Sequence, residues 1–274
     1  DAPACSAEEG ARVRSFGTAL SAPQDGAEGR PEEATNGTLC LFLSGGGGVG
    51  TSTAAAAFAL RLAGKKQRVV YLNFEAFSCT DLFFQGESNY DLDDIIFSLR
   101  SKKYELQTLL RHALCRDSSG VFFLSPCRSA PDWFSLTGEE LIQICHAVGK
   151  NMGAPVTLVL DMNADATENF VLPFLYAKRV VLVTNGTEAG NAKTAQLLQA
   201  LPMLCNLSLF EVEKKVLLLY NRFPVENGKL LALPEPGKLG GIKQTEKDGT
   251  PKELIQKLSA LSPFQRLEEH LCYG

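Results

Sequence analysis

From residue 38 onward the chain alternates short, continuously apolar runs with segments of helical spacing. The runs cover residues 38–44 (TLCLFLS), 68–74 (RVVYLNF), 120–125 (GVFFLS), 155–161 (PVTLVLD), 179–184 (RVVLVT) and 215–221 (KVLLLYN). They lack the polar alternation of a half-exposed strand, so each is predicted to be a strand covered on both faces. Residues 52–63 are alanine-rich with high helix propensity, and Gly64 is the predicted stop. Leu92, Ile95, Ile96 and Leu99 repeat at helical spacing, and Thr137-Gly-Glu-Glu140 is a capping box that opens a helix through Gly149. Thr250-Pro-Lys-Glu253 and Ser262-Pro-Phe-Gln265 are two further capping boxes, each with proline predicted at the first helical position. Strands that alternate with helices in this way imply an α/β fold: a mostly parallel central sheet with helices on both faces. No internal repeat is present.

Residues 1–37 break the pattern. They are rich in Ala, Gly, Glu and Pro, with Val13, Phe16 and Leu20 as their large apolar residues. Burial of so little apolar surface does not offset the entropy of ordering, so this stretch is expected to be a linker or disordered tail. It lacks the basic start and apolar centre of a signal peptide. Residues 38–274 are then expected to form one domain. Composition narrows the function. Lys plus Arg is 27 against 31 Asp plus Glu, a net charge of -4, which is not the basic footprint of non-specific nucleic-acid binding. No direct DNA binding is expected. No apolar run approaches the roughly 20 residues that span a bilayer. The eight cysteines form no CxxC pair and only three histidines are present, which argues against zinc or haem. Most of the cysteines lie in apolar stretches and read as reduced core thiols of a cytoplasmic protein.

The candidate chemistry lies between the first strand and the first helix, in Ser44-Gly45-Gly46-Gly47-Gly48-Val49-Gly50-Thr51-Ser52-Thr53. Glycines let the backbone curl with its N–H groups inward, and the helix start adds its positive end, which together make a phosphate cradle. Two motifs fit. Gly45-x-Gly47-x-x-Gly50 satisfies the dinucleotide fingerprint, with Glu75 after the next strand where a ribose-binding acid would stand. Gly50-Thr51-Ser52-Thr53 instead resembles the end of a Walker A loop, with Thr51 where the lysine belongs and Ser52 where a hydroxyl ligates magnesium. The hydroxyl triplet favours the Walker reading. So does Leu158-Val159-Leu160-Asp161, an apolar strand that ends in a carboxylate in the manner of Walker B.

With these residues in place, the loop resembles the deviant Walker A of the MinD/ParA P-loop NTPases, S-x-K-G-G-x-G-K-[ST]-T, with Gly46 and Thr51 at the two lysine positions. The run Gly-Gly-Val-Gly-Thr-Ser-Thr is similar to the TadZ/CpaE branch, localisation ATPases of Flp/Tad pilus assembly. Tyr71-Leu-Asn-Phe-Glu75 and Thr80-Asp81-Leu-Phe-Phe84 resemble it too. The resemblance spans roughly residues 38–270. It implies that the amides of Gly47, Gly48, Val49 and Gly50 face the phosphates, beside Thr51. Ser52 and Asp161 would hold Mg2+, and Thr53 would contact the α-phosphate. Glu75 would orient the attacking water, while Asn73 has lost the charge of its family counterpart, and Asp81 falls in the switch segment. Asn221 would contact adenine, or else is a turn residue at the strand end. Relatives in that branch often carry a receiver-like domain ahead of the nucleotide domain, which 37 residues cannot hold.

Phosphoryl transfer depends on positive charge around the γ-phosphate, and losing one preorganised donor slows it by about 10²–10³-fold. A loop without its two lysines is therefore expected to bind ATP and Mg2+ but to hydrolyse slowly or not at all. Arg222, Lys178, Arg179 and Lys193 are the basic residues that could substitute, in cis or across a dimer. The expected function is a nucleotide-dependent homodimer switch that positions a pilus or secretion-machine partner, in the cytoplasm or recruited by that partner to the inner face of the membrane. The alternatives are an active partitioning or positioning ATPase and, on the GxGxxG reading, an NAD(P)-dependent oxidoreductase. No proton-transfer constellation supports the last. The final helix sets Phe264, Leu267 and Leu271 on one side and Glu268 and Glu269 on the other, which reads as core or dimer surface rather than a membrane anchor.

Overall fold

A computed structural model describes residues 37–102, 105–128, 134–153, 155–164, 169–231, 237–244 and 249–273. The tail expected over residues 1–37 lies outside them, Gly37 apart. In chain order the elements of the first half are β1 (Thr38–Leu43), α1 (Thr51–Gly64), β2 (Val69–Asn73), α2 (Thr80–Phe83), α3 (Leu92–Ser101), α4 (Leu106–Ala113), β3 (Leu114–Arg116) and β4 (Phe122–Leu124). The second half contains α5 (Gly138–Met152), β5 (Thr157–Asp161), α6 (Val171–Tyr176), β6 (Arg179–Thr184), α7 (Glu188–Cys205), α8 (Leu209–Lys215), β7 (Val216–Phe223), β8 (Gly237–Lys243), α9 (Pro251–Ser259) and α10 (Ser262–Tyr273). All six predicted strands form.

The strands make one eight-stranded sheet in the order β3-β4-β2-β5-β1-β6-β7-β8. Every pairing is parallel except β3 with β4. The apolar runs are continuous because each strand feeds two cores. Leu39, Leu41 and Leu43 of β1 join Leu72, Leu160, Leu182 and the inner sides of α3, α5 and α7. Cys40 and Phe42 join Tyr71, Val159, Val181 and the helices α1, α9 and α10 on the opposite face. The final helix is part of this second core: Phe264, Leu267 and Leu271 are all buried. Cys40, Cys115, Cys145 and Cys205 are buried thiols in no disulfide, as expected of core cysteines.

Two local expectations change. α1 runs through Gly64, and the left-handed residue beyond it is Lys66, with φ 61°. The capping box at Thr250 is complete, with proline opening α9. α10, however, already includes Ser262, and the Leu261 carbonyl accepts from the Gln265 amide, so Pro263 is the second helical residue.

α1 is the pivot of the second core. Ala54, Ala55, Ala56, Ala57 and Ala59 are fully buried, and their small side chains let the helix lie close on the sheet. Phe58 fills the space between Phe42 and Phe264, with ring centroids 5.9 and 6.4 Å away. Arg61 ties the helix end to α10 through Glu268 at 2.8 Å. Phe58→Ala should destabilise the domain by about 3–5 kcal/mol, from lost burial plus the cavity left between three elements. A urea unfolding midpoint compared with wild type checks this.

Candidate functional site

The turn from β1 into α1 projects beyond the carboxyl end of the sheet, where a parallel α/β sheet presents its ligands. Gly50 caps α1 with φ 83°, a left-handed conformation that suits glycine, and a side chain there would collide with Nδ2 of Asn221. Asn221 is buried inside β7, two residues before the strand ends rather than in a turn, and its Nδ2 donates to the carbonyls of Val49 (3.0 Å) and Gly50 (3.1 Å). The neighbouring Arg222 donates from Nη1 to the Gly48 carbonyl at 3.2 Å. Carbonyls of the turn are thus drawn toward β7. Among the described residues no acceptor takes the amides of Thr51, Ser52 or Thr53, and no side chain caps the helix. A side chain built at Gly47 or Gly48 would meet nothing within 4 Å. The result is an open cradle of N–H groups at the positive end of a helix.

The second part of the site rests on strand register. Asn73 and Asp161 are paired positions of β2 and β5, so their side chains stand on one face. Asp161 is fully buried. Its Oδ2 accepts from the Tyr71 hydroxyl and from Asn73 Nδ2, both at 2.7 Å, whereas Oδ1 is buried without a partner among the described residues. Asn73 Oδ1 accepts from the Glu75 amide at 2.8 Å and so fixes the turn that carries the Glu75 carboxylate. Ser52, in the first turn of α1, donates to Glu75 Oε2 at 3.4 Å. Burial and then the nearby Glu75 charge push the Asp161 carboxyl up to about 7, against the Tyr71 hydrogen bond and the neighbouring Ser52 hydroxyl, which lower it. Burial also raises Glu75, opposed by hydrogen bonds from Ser52 and Asn163. The Cys79 thiol is raised by burial and by both carboxylates.

Two carboxylates that disfavour each other's charge, one with a bare buried oxygen, make a floor that calls for a cation. The donor set is a serine hydroxyl and carboxylate oxygens, which suits Mg2+, an ion that takes one or two protein groups and completes its shell with phosphate and water. Among the described residues no cluster of three or more His, Cys, Asp or Glu gathers to cage a metal alone. The predicted residues Ser52, Glu75 and Asp161 therefore converge beside the predicted loop. Asn221 lies on the loop's other flank as a strap. Lys178 and Arg179 stand at the opposite, amino end of the central strands, where β6 begins and the Lys178 amide pairs with the Leu39 carbonyl. Sequence reasoning gave no role to Tyr71, Ser44 or Asn163. The Ser44 hydroxyl lies 3.1 Å from both the Gly46 carbonyl and Asn163 Oδ1. The available signal was the period-two placement of polar groups at 71, 73 and 75 in an otherwise apolar strand.

No protein-family model matches the chain, and no curated protein does. Solved structures do. A ParA family ATPase from Chlorobium tepidum aligns over 85% of this chain and 95% of its own, with 19% identity and a TM-score of 0.58. The septum site-determining protein MinD of Pyrococcus horikoshii, complexed with Mg-ADP, aligns over 81% and 94%, with 15% identity and a TM-score of 0.59. A plasmid partition protein of Borrelia burgdorferi aligns over 85% and 99%, with 13% identity and a TM-score of 0.58. The chain has the MinD/ParA fold. Its sheet order agrees: β5 lies between β1 and β2, which a dinucleotide-binding sheet of order 3-2-1-4-5-6 keeps adjacent. That order removes the structural basis for the oxidoreductase reading. Among the described residues no helix is long and apolar enough to cross a membrane.

Two outcomes follow from this geometry. Between its ordinary 3.8 and about 7, Asp161 holds in the folded chain a proton that the unfolded chain has released. Its charge-burial penalty is therefore absent in acid and grows as pH rises toward 7, by at most about 1.4 kcal/mol per pH unit. Asp161→Asn should flatten that slope, as read from urea midpoints across the interval without metal. Asn221→Ala leaves two loop carbonyls without their donor and should destabilise by about 1–3 kcal/mol, with faster amide exchange in the loop and the start of α1 than elsewhere.

Proposed function

We propose that this protein binds ATP and Mg2+ at the glycine loop and works as a nucleotide-dependent homodimer switch. Hydrolysis is weak or absent, and the switch positions a protein partner of a pilus or secretion machine. The observation that carries the reading is the bare Oδ1 of buried Asp161, set beside Ser52 and the open amide cradle. The mononucleotide in the MinD complex supports the ligand class. The absence of any Lys or Arg from residues 44–53 supports slow turnover. The pilus partner rests on the likeness of the Gly-Gly-Val-Gly-Thr-Ser-Thr loop to that branch.

The residues divide the work. The amides of Gly47 to Thr53 take phosphate oxygens, and the strap from Asn221 keeps their carbonyls turned away. Ser52 Oγ and Asp161 Oδ1 would hold Mg2+, which when bound supplies positive charge beside the phosphates. Tyr71 and Asn73 fix the carboxylate so that Oδ1 stays presented. Burial pushes the Tyr71 hydroxyl well up, so it remains a donor. Glu75, hydrogen-bonded to Ser52, would hold a water at the edge of the cradle. A carboxylate alone orients water but adds no positive charge, so chemistry lags behind binding.

Calorimetric titration tests the reading. Wild type should bind ATP with Mg2+ and not NADH, and Ser52→Ala should weaken the magnesium-dependent part on the order of tenfold. Equal binding by both proteins would remove the magnesium role. Sedimentation should show dimer only with ATP and Mg2+, while phosphate release stays near background. Brisk turnover that Asp161→Ala abolishes would establish the active ATPase instead.

A further inference from the structure

The glycine loop carries no cation of its own, yet a polyphosphate brings several negative charges that amides alone neutralise poorly. The structure places one basic side chain across the loop. Lys193 lies in the second turn of α7, and two consecutive glycines are shaped around it. A side chain at Gly45 would stand 2.9 Å from the Lys193 carbonyl oxygen, a backbone contact that cannot yield. A side chain at Gly46 would stand 2.8 Å from Lys193 Cδ and 3.3 Å from Nζ. The four glycines therefore fall into two pairs: Gly45 and Gly46 admit α7 and its lysine, while Gly47 and Gly48 face open space. A cavity of about 130 Å³ continues along this flank, lined by Gly46, Gly47, Asn185, Thr187, Gly190 and Lys193. Among the described residues no carboxylate pairs with Lys193. The other basic group at the loop, Arg222, is tied to the Gly48 carbonyl on the opposite side.

We propose that Lys193 is the phosphate-binding cation of this site, reaching from α7 across Gly46 to the polyphosphate of a nucleoside triphosphate held in the loop. The Lys193 side chain runs through the space that a side chain at Gly46 would share. The inference rests on the nucleotide-binding reading above and adds a cation for holding the ligand, while both lysine positions of the loop itself stay neutral. A lysine on a separate helix also links ligand charge to the position of α7.

The test is calorimetric titration of ATP and Mg2+, with AMP as the ligand of least charge, into wild type, Lys193→Met, Lys193→Arg and the double variant Gly46→Lys/Lys193→Met. Lys193 is exposed, so Lys193→Met should keep the melting temperature of the ligand-free protein. Lys193→Met should weaken ATP binding by about tenfold or more, as expected for loss of a charge-assisted contact. It should change AMP binding far less, and the loss should shrink in high salt. Lys193→Arg should retain most of the affinity, and the double variant, which returns a cation from the adjacent backbone position, should recover part of it. If wild type binds ATP and both Lys193→Met and Lys193→Arg bind it equally well, the role of Lys193 is overturned while nucleotide binding stands. If wild type itself neither gives heat nor gains thermal stability with ATP and Mg2+, the nucleotide reading falls and this inference falls with it.

Discussion

Asp161 ends β5 with one oxygen held by Tyr71 and Asn73 and the other buried with no hydrogen-bond partner among the described residues. An ionised carboxylate in such a place costs several kcal/mol unless something positive meets it. Among the described residues two neutral donors meet it and no cation does. A proton or a metal ion must complete the balance, and the raised affinity for a proton is the same property as the demand for a metal, seen without one. The positions of Ser52 and Glu75 gain their meaning from this oxygen. Each stands near it because β1, β5 and β2 are adjacent and end at one level of the sheet.

The loop beside it is held from two directions that have nothing to do with its own residues. β7 reaches it through Asn221 and Arg222, and α7 presses on it through Lys193. A glycine-rich turn has high conformational entropy, and its ordering has to be imposed by neighbours. Here the neighbours contact carbonyls and glycine Cα positions, and among the described residues none accepts from the first amides of α1.

Much of the architecture was legible because the central strands are buried on both faces, which makes their apolar runs unmistakable. The capping boxes at Thr137 and Thr250 were legible for a local reason, the reciprocal bonds between cap and third residue. The same signal at Ser208 and Glu211 opens α8 and was passed over. β8, with three glycines in GKLGGIK, and the three-residue β3 are edge strands whose existence depends on a partner already in place. Lys66 takes the left-handed turn expected of Gly64 because α1 and its cap extend two residues further. At the site, Ser52, Glu75 and Asp161 were readable from motif and strand ends. The unpartnered oxygen and the lysine laid over Gly46 are products of packing between distant segments, which no local pattern encodes.

The strap from Asn221 joins residues 171 positions apart. During synthesis the amino-terminal part of a chain emerges and begins to order first. The glycines leave the ribosome early, but the side chain that turns their carbonyls aside arrives only after β6, α7 and α8 have been made. A nascent chain halted before β7 carries the whole loop motif without the means to shape it, so the finished loop is a late acquisition in the life of each molecule.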